Sequence, residues 1–248
     1  MFVLGIDTAT AVTSVAVGTE TGACAAVSVR HERAHAELLS PSVRWVLDRA
    51  DLEPGSLGGI AVGIGPGLFT GLRVGVATAK ALAQAWRLPM VAVPSLDLIA
   101  FAHRHTARTV CAVIDARRGE LFAALYRHAP GGIQRLSRYA VLRPDRLAAE
   151  LEARREDMLL VGSGVAAYAA SFEHLDERVH LASHAGSAPS AEALIELALP
   201  RFHREEYTLP LDVSPMYLRR PDVDPAVERR LARSQGVGAR QAPTAPGA

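Results

Sequence analysis

Apolar and polar residues alternate through the first thirty positions in three short runs, Phe2 to Ile6, Thr13 to Val17 and Ala23 to Val29. Turn residues separate them at Asp7-Thr8 and Thr21-Gly22. A period of two bounded by such breaks predicts three strands. From His35 to Ala50 the period changes, with Leu39, Val43, Val46 and Ala50 on one helical face. A strand at Gly59 to Ile64, a helix from about Thr70 to Trp86 and an apolar strand at Pro89 to Val93 follow. The order βββαβα then restarts: strands at Val110 to Ile114, Leu121 to Arg127 and Ile133 to Val141, a helix from Pro144 to about Arg155, a strand at Met158 to Val161 and a helix after Gly164.

Two copies of one order predict an α/β protein made of two tandem domains of the same topology, residues 1–105 and 106–220. A helix over Ala191 to His203, entered through Pro189-Ser190, is expected to pack back on the first domain. Residues 221–248, rich in Pro, Gly, Ala and charge, read as a loose tail.

The chain has 248 residues, 49% of them hydrophobic and 21% charged, which excludes wholesale disorder and fibrous classes. Its 27 basic and 26 acidic side chains give a formal charge of +1, against the basic excess of proteins that hold nucleic acid unaided. Of the basic residues only Lys80 is lysine. Cys24 and Cys111 both fall in strand-like stretches and read as buried free thiols. The opening MFVLGIDTAT has no basic n-region, and no run of about 18 apolar residues occurs, so the expected location is cytoplasmic.

Three patterns carry candidate chemistry. His31-Glu32-Arg33-Ala34-His35 is a literal H-E-x-x-H, which in zinc peptidases sets two imidazoles on one face of a helix. Here it falls on a strand-to-helix turn, where solvated histidines are the plainer reading. Gly63 to Gly75, GIGPGLFTGLRVG, lacks the Lys-Ser/Thr of a phosphate-binding P-loop and the third glycine of a dinucleotide fingerprint. It reads as strand, glycine-rich turn and helix, with Thr70 as a cap and backbone N–H groups that either face an anion or simply close a turn. Asp7-Thr8-Ala9-Thr10 and Asp115-Ala-Arg-Arg-Gly119 end equivalent strands, as the phosphate-handling aspartates of actin-like kinases do. Gly162-Ser-Gly164 stands where an adenosine-side turn would be.

The helix after the glycine-rich turn sets Gly71, Gly75, Ala79 and Ala83 at every fourth position. Glycine in a helix interior costs about 1 kcal/mol relative to alanine, so the stripe implies a close helix-to-helix approach. Periodicity alone leaves packing on the chain's own core and contact with another subunit equal. Arg73, Lys80, Gln84 and Arg87 form a second, polar face.

Gly5-Ile-Asp-Thr-Ala-Thr10, Gly65 to Gly75, Asp115-Ala-Arg-Arg-Gly-Glu120, Gly162-Ser-Gly164 and Pro215-Met-Tyr-Leu-Arg219 together resemble the TsaB (formerly YeaZ) family over residues 1–220. The family's fold is the actin-like, ribonuclease-H-like double domain. The resemblance implies a non-catalytic subunit that pairs with the TsaD transferase and the TsaE ATPase to make the threonylcarbamoyl modification of tRNA adenosine beside the anticodon. ATP and a metal ion are then used by the complex, and tRNA is met only through it. Family members dimerise through helices of the first domain, so Leu68, Phe69, Thr70, Gly71, Leu72, Arg73, Gly75, Ala79, Ala83, Leu39 and Val43 are the implied interface. An isolated homodimer is a further pairing it admits. Asp7, Thr10, Asp115, Gly162 and Gly164 are the candidate remnants of a nucleotide side. TsaD carries an H-x-x-x-H metal pair after a similar motif; counting from Ala85-Trp86 and Pro89, those positions are Ser95 and Ile99. No catalytic residue and no metal site is expected. TsaB members usually carry Ser where this chain has Leu68. A zinc peptidase using His31, Glu32 and His35 and a small actin-like kinase using Asp7 and Asp115 stand as alternatives.

Overall fold

Residues 2–30 fold as an antiparallel meander, β1 (Phe2–Asp7), β2 (Val12–Thr19) and β3 (Gly22–Arg30). After α1 (His35–Arg49), β4 (Leu57–Gly63) returns parallel to β1. After α2 (Phe69–Trp86), β5 (Met90–Val93) lies parallel to β4, giving the order β3-β2-β1-β4-β5. A following helix, α3 (Ser95–Ala102), leads to the second sheet. There β6 (Thr109–Arg117), β7 (Glu120–Ala129), β8 (Gly132–Arg135) and β9 (Ala140–Leu142) are antiparallel. They are followed by α4 (Pro144–Arg154), the parallel strand β10 (Met158–Val161), α5 (Ser163–Ala167), β11 (Val179–Leu181) and α6 (Ala191–His203). The order β11-β10-β6-β7-β8 repeats that of the first sheet, so the expected duplication is present in the topology. The computed structural model describes residues 1–31, 34–183 and 186–219, so the expected tail at 221–248 lies outside the described residues.

Both sheets are covered on both faces, which is why β1, β4 and β6 are nearly continuous in apolar residues. Leu39, Val43 and Val46 of α1 and Val76, Ala79 and Ala83 of α2 pack with Leu4, Ile6, Ile60 and Val62 on one face of the first sheet. On the other face α6 sets Leu194, Ile195, Ala198 and Phe202 against Val3, Ala16, Ala61 and Val91. Each fully buried leucine or isoleucine there contributes about 2 kcal/mol. The hydroxyl of Ser190 caps α6 by accepting from Ala193 N at 3.1 Å. In the second sheet α4 and α5 cover one face, and Leu96, Ile99 and Ala100 of α3 fill the other.

Several local readings change. The strand expected over Ile133 to Val141 is split: Tyr126 pairs with Arg135 but Ala123 pairs with Ala140, so two extra residues bulge out between β8 and β9. The Ser137 hydroxyl repairs the break by accepting from Leu125 N. α2 begins at Phe69 with Leu68 as N-cap and no side-chain cap, so Thr70 stands within the first turn and does not cap it. α3 and β11 were not anticipated. Both cysteines are free, but only Cys111 is buried. Cys24 is exposed because β3 forms the sheet's edge.

Candidate functional site

The glycine-rich turn joins β4 to α2, and its backbone is bonded inward. Ile64 N donates to Val93 O at 3.0 Å, Gly65 N to the Ser95 hydroxyl at 3.1 Å and Leu68 N to Ala9 O at 2.7 Å. Ser95 N in turn donates to Gly65 O at 2.7 Å, and Met216 N to Ile64 O at 2.7 Å. These N–H groups are therefore not offered to an anion. The bonds of Ile64, Gly65 and Leu68 close the turn on the fold.

The small-residue stripe of α2 also faces inward. Gly71 and Gly75 lie against Thr8, whose hydroxyl donates to Gly71 O at 2.7 Å; a side chain at Gly75 would occupy the place of Thr8 Oγ1. Ala79 and Ala83 are buried in the sheet-facing core, as are Leu39 and Val43 on α1, and Leu72 of α2 is buried near Gly65. All seven are buried, the two glycines against Thr8, so as a group they pack on the chain's own core and are withdrawn from the expected interface. Exposure falls on the opposite face, at Thr70, Arg73, Ala77, Ala81 and Gln84. At its N-terminal end Phe69 and Tyr217 stack with centroids 5.3 Å apart. The Arg73 guanidinium lies 3.9 Å over the Phe69 ring and its Nε donates to the Tyr217 hydroxyl at 3.1 Å. Tyr217 enters this cluster from 144 residues away, beyond the reach of any local pattern. Lys80, expected on the solvated face with Gln84 and Arg87, is half-buried: its ammonium donates to Leu211 O at 3.2 Å and Val213 O at 2.8 Å, tying the segment 209–218 to α2.

Asp7 is 1% exposed. Its Oδ1 accepts from Ala9 N at 2.9 Å and its Oδ2 from the Ser95 hydroxyl at 2.7 Å, and burial pushes its pKa up to about 6. Asp115 is less enclosed. It accepts from Arg117 N at 2.7 Å and the Tyr168 hydroxyl at 3.0 Å, and its Oδ2 lies 3.4 Å from the Arg117 guanidinium. A cleft of about 430 Å³ runs from the β1–β2 turn to the ends of β6 and α5, lined by Thr10, Arg30, Leu68, Asp115, Arg117 and Ser163 among others. Thr10 and Asp115 thus share a cleft, while Asp7 sits beneath the turn. A side chain at Gly162 would meet Val113 and one at Gly164 would meet Leu121, so both glycines pack closely on the second sheet. Mg-ATP, which an actin-like fold implies, does not fit this set: the first carboxylate is buried and the second is already paired.

His31 is exposed and precedes α1, whereas His35 opens α1 with its ring buried and Nδ1 2.7 Å from the Thr13 hydroxyl. The two imidazoles do not share one face of a helix, which the zinc-peptidase arrangement requires. Glu32 lies outside the described residues. Burial holds the His35 pKa below its ordinary value. Among the described residues no group of three or more His, Cys, Asp or Glu side chains is placed to hold a metal ion. Ser95 and Ile99 are both fully buried, Ser95 bonded to Asp7 and Ile99 in the second-sheet core.

The fold and the turn have clear relatives. The family model for TsaD, tRNA N6-adenosine threonylcarbamoyltransferase, matches residues 27–227. A tRNA threonylcarbamoyladenosine biosynthesis protein TsaB of Escherichia coli is 31% identical over 224 residues, 88% of this chain and 95% of that protein. The chain belongs to the TsaB family. A TsaB protein of Bacillus subtilis is 33% identical over 136 residues, 55% of this chain and 59% of that relative. The solved structure of YeaZ from Pseudomonas aeruginosa superposes with a TM-score of 0.76 at 34% identity, covering 88% of this chain and 99% of that one. The family's actin-like, ribonuclease-H-like architecture accounts for the two repeated sheets. Among the described residues no helix is long and apolar enough to cross a membrane.

Proposed function

We propose that the chain is a non-catalytic scaffold subunit in tRNA threonylcarbamoyladenosine biosynthesis, pairing in the cytoplasm with a TsaD-type transferase and a TsaE-type ATPase. Relatives named for this pathway support the role. The observation that carries the non-catalytic reading is the interior position of Ser95 and Ile99, where the transferase would hold its metal-binding histidines: neither side chain can replace an imidazole, and neither reaches a surface. ATP and a metal ion then belong to the partner subunits.

The partner surface is the outward side of α2, with Thr70, Arg73, Ala77 and Ala81, and the adjoining Phe69–Arg73–Tyr217 cluster. Aromatic and arginine side chains that are ordered before binding lose little freedom on association, which favours them as contact residues. With a charge of +1 the isolated chain gains little from counterion release, so tRNA is met through the complex.

The test is co-purification of the chain with the TsaD-type protein of the same organism, followed by titration calorimetry. A one-to-one complex is expected, weakened at least about tenfold by Ala77→Arg, which adds bulk to the exposed face, and by Arg73→Glu, which reverses its charge. Stoichiometric zinc with peptidase activity, or ATP turnover by the isolated chain, would overturn the reading.

A further inference from the structure

Asp7 ends β1 inside the protein, where an ionisable side chain is unfavourable and no cation among the described residues is bonded to it. Its two oxygens lead to the two ends of the glycine-rich turn. Oδ2 accepts from the Ser95 hydroxyl at 2.7 Å, and that hydroxyl accepts from Gly65 N at 3.1 Å while Ser95 N donates to Gly65 O at 2.7 Å. Oδ1 accepts from Ala9 N at 2.9 Å, and Ala9 O accepts from Leu68 N at 2.7 Å. Gly63 lets the carboxylate in, because any side chain there would fill the space of Oδ2. Leu68 is the N-cap of α2 and caps nothing with its own side chain, so the start of the helix is fixed from outside.

We propose that Asp7 is a positioning residue: through Ser95 and Ala9 it fixes the entry of α2, and with it Phe69, Thr70 and Arg73, in the arrangement the transferase partner binds. It is not a phosphate- or metal-handling group. This rests on the scaffold reading above. The relay needs a carboxylate. The Ser95 hydroxyl has one proton, which goes to Oδ2, and its oxygen receives Gly65 N–H. An amide nitrogen facing Ser95 would present a second donor and leave the hydroxyl proton without its acceptor.

The test compares the wild type with Asp7→Asn and with Ser95→Ala, which keeps the carboxylate but removes the hydroxyl that joins it to Gly65 N. Calorimetry with the purified TsaD-type subunit should show about a tenfold weaker complex for each, the loss expected when one buried hydrogen bond that holds the contact surface in place is undone. The melting midpoint of Asp7→Asn should not fall in parallel, since a buried charge leaves with the bond; a parallel fall of stability and affinity would mark a merely structural role and overturn the proposal. If Asp7→Asn does not fold, Ser95→Ala decides the outcome alone. Undiminished affinity in the folded variants, or Mg-ATP binding by the wild type that Asp7→Asn abolishes, overturns it as well. Amide hydrogen exchange supplies a readout that needs no partner: Gly65 and Leu68 should lose protection in both variants, and unchanged protection overturns the proposal. A wild-type chain that shows no affinity for the partner, with exchange responding as expected, refutes the scaffold reading and leaves the hold of Asp7 on the turn established.

Discussion

β1 and β6 occupy the same place in the two repeats, each carries an aspartate at or near its end, and the two carboxylates have gone opposite ways. Asp7 turns inward to a hydroxyl and a backbone N–H, beneath a glycine-rich turn that starts an 18-residue helix. Asp115 turns toward the cleft, bonded to Tyr168 and ion-paired with Arg117, and the turn after β10 starts a helix of only five residues. In the hairpin beyond Asp115, Arg117, Arg118 and Gly119 all have positive φ, a tight reversal that holds Arg117 beside the carboxylate. Equivalent position in a duplicated fold therefore does not assign an equivalent task. The surroundings decide which atoms can neutralise the charge, and the chemistry follows from that.

The largest effect is expected at Gly75, where α2 meets the turn that follows Asp7. A leucine there meets Thr8 and forces α2 off the β1–β2 turn, so Gly75→Leu should lose about 3 kcal/mol or more, a fall of roughly 6–12 °C in melting midpoint or failure to accumulate soluble protein. Ala77→Leu, on the exposed side of the same helix, should leave the midpoint within about 2 °C. A stable Gly75→Leu protein would show that the stripe does not pack on Thr8.

A similar energy is expected from titration. The Asp7 carboxyl, raised from 3.8 to about 6, holds its proton more tightly folded than unfolded, so its ionised form opposes folding by about 3 kcal/mol above pH 6. That penalty is relieved as pH falls from above 6 toward 3.8. His35, lowered by burial, acts in the other direction: it favours the fold above its ordinary 6.5 and withdraws that support on acidification. In urea titrations the stability of Asp7→Asn relative to wild type should be greatest at neutral pH and shrink toward pH 4. A pH-independent difference would contradict the assignment. The smallest effect belongs to Asp115→Asn. Arg117 is 52% exposed, and the loss should not exceed about 1 kcal/mol in a chemical melt; a larger loss would mean that the second aspartate is as deeply engaged as the first.

The amphipathic elements were legible in the sequence because each shows a polar side to solvent. α3 was not, since Ser95, Leu96, Leu98, Ile99, Ala100 and Phe101 are all buried and no polar face remains to mark a period. β11 has three residues, too few to show alternation, and the bulge before β9 is set by its pairing with β7. The stripe on α2 implies from sequence a close approach of two helices, whereas its glycines meet Thr8 of the β1–β2 turn, since periodicity defines a face and not what lies against it. The exposed side also carries alanines, at 77 and 81, so size could not separate the two. The Asp7 turn reads from sequence as structural more readily than as phosphate-handling, but its tie to the glycine-rich turn does not show there, because its partner Ser95 is 88 residues away on the helix that left no signal.

Lys80 is the single lysine in a chain whose other basic side chains are arginines, and its ammonium bridges two carbonyls of the segment that brings Tyr217 to Arg73. Amine-reactive dyes, biotin esters and cross-linkers have no other lysine to find. Each would convert this donor into an uncharged amide and loosen the strap beside the surface assigned to the partner. Attachment through the exposed thiol of Cys24, on the far edge strand of the first sheet, leaves that strap intact.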